Sequence, residues 1–263
     1  MLNALWNGLV VYYWNQFKDE YYSYQRENIQ GLWIKIWALY FEGRLDEKPE
    51  SKEWLMKEIK RKYFGSDWYE VYEFIEFILN HYEPPYGEND DVNSSFISYC
   101  NLVLERELSG YRILDQQFAP LTSEEELESV QNALKVTDTF APVRQHLSRA
   151  VQHLSDKKAP DYRNSIKESI SAVESLCSLI TNEPKSTLGQ ALKKIEKEHE
   201  LHPALKNAFS NLYGYTSDAK GIRHALLDVD QVKQEDAIYM LVSCSAFVNY
   251  LLKKSVSGAD GGE

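Results

Sequence analysis

Cysteine is scarce and scattered. Cys100, Cys177 and Cys244 lie far apart without a C-x-x-C pair, which argues against a disulfide scaffold or a thiolate metal site. They fit small buried hydrophobes in a reducing compartment. Glycine (12) and proline (8) are few in 263 residues, which disfavours a turn-rich β architecture. There is no positive excess: 40 acidic against 29 basic side chains give a net charge of −11. Non-specific coating of nucleic acid is thereby disfavoured, although one local basic site can still bind it. The longest apolar stretch, Ala237 to Leu252, is interrupted by Ser243, Ser245 and Asn249 and falls short of the roughly 18–20 residues that a membrane span needs. The opening MLNALWNGLVVYYWNQFKDE lacks the basic start and small-residue cleavage site of a signal peptide. The expectation is a soluble, cytoplasmic protein that does not engage a membrane.

What is present is aromatic and uneven. The chain has 34 aromatic residues, too much apolar surface for a disordered protein. Of these, 26 fall in residues 1–130, and all six tryptophans lie between Trp6 and Trp68. The same 130 residues hold 24 acidic and 12 basic side chains, whereas residues 131–263 hold 16 and 17. This asymmetry predicts two regions: an aromatic-rich acidic helical region over 1–134 and a helical bundle over 135–254, followed by a disordered tail, 255–263.

The hydrophobic period predicts an all-α chain with one short β-ribbon. Helices are expected over about Asn3–Tyr22, Asn28–Phe41, Glu53–Tyr63, Trp68–Tyr82 and Val92–Glu107. In the fourth, Tyr69, Tyr72, Ile75, Phe77 and Ile78 approximate one apolar face. SGYRILDQQFAPL carries the ribbon signal, and Ser123 with Glu126 forms a capping box for the helix after it. In the second half, Ile166, Ile170, Val173, Cys177 and Ile180 follow the helical period. Thr187 and Gln190 open another helix, and Leu205, Ala208, Phe209 and Leu212 form an apolar stripe after Pro203. The helix from about Gln234 to Lys254 is apolar almost all round, which predicts the most buried position.

No Gly-rich phosphate loop, H-E-x-x-H, G-x-S-x-G or EF-hand pattern occurs, and no metal or cofactor is expected. His146 and His153, seven apart, can share a helix face, and with no third ligand near them they suit a structural or surface role. Two places suit anion chemistry. On the Tyr162 helix, Arg163, Lys167 and Glu174 fall together at the edge of the apolar stripe, within residues 141–170 that carry six basic and three acidic side chains. They suit either a solvated ion-paired flank or an anion-accepting cleft in which Glu174 orients a cation. The second place is Gly221-Ile222-Arg223-His224, at the end of a polar loop. There histidine can exchange protons near neutral pH, and a guanidinium can offset charge building on phosphorus.

PDYRNSIKESISAVESLCSLI, STLGQALKKIE, LHPALKNAFSNLYGYTSDAKGIRHALLD and DAIYMLVSCSAFVNYLLKK resemble the HEPN-type domain of AbiJ-associated abortive-infection proteins. SYQREN, WYEVYEFIEFIL, ERELSGYRI and LTSEEELESV extend the resemblance over about Trp14 to Lys254. It implies a HEPN-like helical bundle in a bacterial anti-phage defence system. It also implies homodimerisation and, in many HEPN domains, metal-independent RNA cleavage by an Arg–(four to six residues)–His motif. Here the positions separated from His224 by four to six residues are Ala219, Asp218 and Ser217, none of them Arg; Arg223 stands next to His224, and Lys220 is the nearest base upstream of that pair. The catalytic candidates are therefore His224 and Arg223, with Arg163, Lys167 and Lys220 as anion or RNA contacts and Glu174 as orienting carboxylate. The expected partners are a second copy, an RNA (tRNA) substrate, and a defence-system protein bound through residues 1–134. The alternative to an endoribonuclease is a non-catalytic regulator or scaffold that binds a protein partner or senses a phage nucleic-acid signal.

Overall fold

The computed structural model describes residues 1–17, 31–47, 51–83, 92–138, 140–184, 186–199, 201–217 and 232–257. The described residues are mostly helical with one two-stranded sheet, the expected all-α class with a short ribbon. They form two compact units, Met1–Phe118 and Ala119–Glu263. The expected regions, 1–134 and 135–254, differ from these units in where residues 119–134 are placed.

The first unit contains α1 (Leu2–Tyr12), α2 (Lys52–Gly65), α3 (Trp68–His81) and α4 (Val92–Arg106). α1 stops ten residues before the expected end: the Tyr13 N–H closes on the Leu9 carbonyl, and a 3-10 turn, Trp14–Phe17, follows. The run Val10-Val11-Tyr12-Tyr13 consists of β-branched and aromatic residues that lose rotamer freedom in a helix. Residues 31–35 are helical and pass into a π-helix, Ile36–Tyr40, which the sequence pattern did not announce. The chain beyond it folds over Trp37: its indole donates to the Arg44 carbonyl (2.8 Å), and a Cβ on Gly43 would come 2.5 Å from the ring. α3 starts at a complete capping box of Asp67 and Glu70. Its buried arc is Val71, Tyr72, Phe74, Ile75, Ile78 and Leu79, while Tyr69 and Phe77 sit half-buried at the edges. The core of this unit is aromatic, with Tyr72 stacked on Phe118 at 3.9 Å between centroids.

The ribbon pairs β1 (Arg112–Leu114) with β2 (Gln117–Ala119). Its two-residue turn, Asp115-Gln116, has φ of 49° and 64°, the doubly left-handed geometry of a tight hairpin.

The second unit contains α5 (Glu124–Val136), α6 (Ala141–Ser155), α7 (Tyr162–Thr181), α8 (Leu188–Glu198), α9 (Pro203–Ser217) and α10 (Gln234–Ser257). Ser123 caps α5 by accepting the Glu126 N–H, but its hydroxyl donates to Glu125 (2.6 Å), so Glu125 is the side chain it engages. Thr187 and Gln190 complete a reciprocal capping box on α8. α7 is central: α6, α10 and α8 pack on it, and Ile166, Ile170, Val173, Leu176 and Cys177 are fully buried. Small side chains let α6 and α7 approach, with the Ser165 hydroxyl donating to the Ala150 carbonyl at 2.8 Å.

α10 is not buried all round. Ala237, Met240, Leu241, Cys244, Val248 and Leu251 face the core, but Tyr239 is 61% exposed and Ala246 is exposed. The expected stripe of α9 is open too: only Phe209 is buried, stacked on Phe247 at 3.7 Å, and Leu205 is 38% exposed. Between the two helices lies an apolar groove of about 490 Å³. α10 continues to Ser257, into the segment expected as tail, and residues 258–263 lie outside the described residues.

Candidate functional site

The α6–α7 hairpin gathers the polar chemistry of the second unit. α7 begins at Asp161, whose carboxylate accepts the Asn164 N–H (2.9 Å) and side-chain amide (2.6 Å). Burial pushes the Asp161 carboxyl up, but those two hydrogen bonds and the charges of His153 and Arg163 outweigh it and hold it below its ordinary value. The Asp161 N–H also donates to the His153 carbonyl (2.9 Å), which closes the hairpin.

Arg163 is half-buried, Lys167 exposed and Glu174 half-buried. At 100° per residue they stay within about 40° of one another on one flank of α7. Lys167 is one turn from Arg163, whereas Glu174 is two further turns along, about 10 Å of rise from Lys167. The Arg163 charge acts on the Asp161 carboxylate, and burial first, then the Glu174 charge, pushes the Cys177 thiol up to about 12. His224, Arg223 and Lys220 lie outside the described residues, as does most of the loop that was to carry them; its first residues, Tyr213–Ser217, continue α9.

The opposite flank of α7 holds a pair that sequence reasoning missed. His146 Nδ1 lies 2.6 Å from Glu168 Oε2, with the His146 side chain 28% and the Glu168 side chain 14% exposed. His146 and His153 do share a flank of α6, and each faces a carboxylate of α7, Glu168 and Asp161. The signal was available: two histidines seven apart, then two carboxylates seven apart, across a short break that makes the helices antiparallel. With Nδ1–H donated to Glu168, Nε2 keeps the lone pair of a general base.

Other chemistries have less support. Cys100, Cys177 and Cys244 are free and buried, and burial raises all three thiols, so none is poised as a thiolate. Among the described residues no group of three or more His, Cys, Asp or Glu could hold a metal ion, and no helix is long and apolar enough to cross a membrane.

A family model described as AbiJ N-terminal domain 4 matches residues 1–136. No curated protein and no solved structure matches the chain.

Proposed function

Because the chain belongs to the AbiJ N-terminal domain 4 family, and so to abortive-infection defence proteins, we propose that it is a defence component whose second unit is a HEPN-type, metal-independent ribonuclease. The observation that carries the chemistry is the His146–Glu168 pair at 2.6 Å, on a helical hairpin rich in basic side chains. That hairpin supplies an oriented imidazole on one flank of α7 and, on the opposite flank, the cations Arg163 and Lys167, which would hold neighbouring phosphates of a strand and not the one at His146. His224 and Arg223 are the second candidate base and phosphate clamp, drawn from the resemblance.

Incubation of the purified chain with tRNA and total RNA tests this reading, comparing wild type with His146→Gln and His224→Ala. Cleavage without added metal that persists in chelator, and falls at least about a hundredfold in one of the two variants, is the expected result. Absence of cleavage by wild type, or cleavage unaffected by both changes, sinks it.

The adjacent Arg223 and His224, in place of a spaced Arg and His, favour a second reading: a non-catalytic regulator that holds a protein partner through the acidic first region. In either case the proposed assembly is a homodimer in the cytoplasm, supported by the open α9–α10 groove and the exposed Tyr239 and Ala246 stripe. Light scattering at micromolar concentration should give twice the chain mass; a monomer mass counts against it.

A further inference from the structure

α2 carries a basic, aromatic face in a unit that is otherwise acidic. Residues 1–118 hold 20 acidic and 12 basic side chains, yet residues 52–65 hold five basic against two acidic. That excess equals the one in residues 141–170 in half the length. Setting 100° per residue, Trp54, Lys57, Lys60, Arg61 and Phe64 fall within an arc of about 120° that includes one acidic side chain, the exposed Glu53, opposite the buried Leu55, Ile59 and Tyr63. All five are exposed, Trp54 by 51% and Phe64 by 39%.

Both rings are braced. Trp54 meets Trp37 at 6.3 Å with the rings steeply inclined, and Phe64 lies 5.6 Å from Trp6 and 5.0 Å from Tyr63. They are ordered platforms, so a ligand ring that stacks on them freezes little side-chain motion. Ten residues separate them, about 15 Å of helix, with Lys57 and Lys60 one turn apart between. Arg61 is tied to Glu58 within the helix, whereas Lys57 and Lys60 have no ion-pair partner among the described residues.

We propose that this face of α2 binds a single-stranded polynucleotide, with bases stacked on Trp54 and Phe64 and backbone phosphates held by Lys57, Lys60 and Arg61. Alternation of rings and cations selects that occupant. A duplex keeps its base faces stacked on one another and has none to offer, and an acidic polypeptide would use the lysines but not the rings. Stacking on a ring and neutralisation of a phosphate do not distinguish ribose from deoxyribose, so RNA and DNA are expected to be accepted alike. The site goes beyond the ribonuclease reading and needs no cleavage.

Fluorescence anisotropy of labelled oligouridylate and oligothymidylate of about twelve nucleotides, titrated with the full chain, tests it. Both should bind within a few-fold of each other, and more weakly as salt rises from about 50 to 200 mM. Trp54→Ala, which leaves the charge unchanged, should weaken binding at least about fivefold. Lys57→Glu with Lys60→Glu should remove it, while the same charge change at Lys193 and Lys197 on α8 should leave it within about twofold. Melting curves of these surface variants should match wild type. Wild-type affinity in Trp54→Ala overturns the proposal, as does equal loss in the α8 variant, equal affinity for a duplex, or displacement by polyglutamate as effective as by unlabelled oligomer. Binding through α2 with no cleavage sinks the ribonuclease reading alone; cleavage with binding indifferent to the α2 changes sinks this one alone.

Discussion

The two units solve the same problem, a helical core, with different side chains. In the first unit large rings fill the interior, and their polar tips must find acceptors. The Tyr99 hydroxyl donates to the Ala4 carbonyl, Tyr63 to the Leu2 carbonyl and Tyr13 to Asn93, across 95, 61 and 80 residues of chain. In the second unit aliphatic stripes interlock, and buried hydroxyls such as Ser169 (to Ser165) and Thr181 (to Cys177) bond within one turn of their own helix, while Ser165 reaches only the adjacent helix at Ala150. A buried hydroxyl without a partner costs free energy, so every tyrosine used as core filler becomes a long-range constraint. The first unit is therefore specified by distant polar fastenings as well as burial, the second by periodic apolar faces.

The comparison breaks most visibly at Val173, fully buried at the centre of the second unit. Val173→Asp places an unpaired charge there and should cost more than about 5 kcal/mol, enough to melt the bundle. All six tryptophans lie in the first unit, so their emission reports on it alone. Circular dichroism should lose the helices of the second unit while the tryptophan transition keeps its wild-type midpoint; a common shift would show that the two units unfold as one.

A smaller effect sharpens the contrast in the first unit. Tyr13→Phe keeps the ring, which lies 5.0 Å from both Tyr82 and Phe96, and removes the 2.8 Å bond to Asn93. A loss of about 1–2 kcal/mol in urea titration is expected. A neutral result would mean that ring burial, not the fastening, holds this unit.

The smallest effect is electrostatic and belongs to the α6–α7 hairpin. Asp161 is held below its ordinary value near 3.8, so its contribution is complete above that pH and is lost as pH falls through the folded-state value. Asp161→Asn keeps an N-cap oxygen but does not titrate. The melting-temperature gap between wild type and variant should be widest near pH 6 and should close as pH falls below about 4. A gap independent of pH would remove the ionic role.

Helix positions were legible where apolar periodicity and capping agreed, as at Thr187 with Gln190 and along Ile166 to Cys177. They were less legible where rings dominate: Tyr69 and Phe77 are apolar enough for a core face, yet their position on α3 leaves them at its edges. The π-helix at Ile36–Tyr40 had no sequence cue, because the wider turn accommodates Trp37 under the chain at Gly43, a contact between residues the helical period does not relate. Of the candidate site, Arg163 and Lys167 were legible as one flank. The His146–Glu168 pair needed the antiparallel turn to bring residues 22 apart together.

Composition, period and caps by themselves determined an all-α chain with one ribbon, its aromatic and aliphatic halves, and most helix limits, because each depends on residues within a turn or two of one another. Only the tertiary structure decided which apolar stripes would be covered, leaving α9 and α10 with an open groove, and which histidine would meet a carboxylate. It also set Trp54 and Phe64, apolar enough for a core, beside the lysines on the solvent side of α2. Those outcomes depend on how helices pack, and local sequence carries burial preference without saying which surface will arrive to satisfy it.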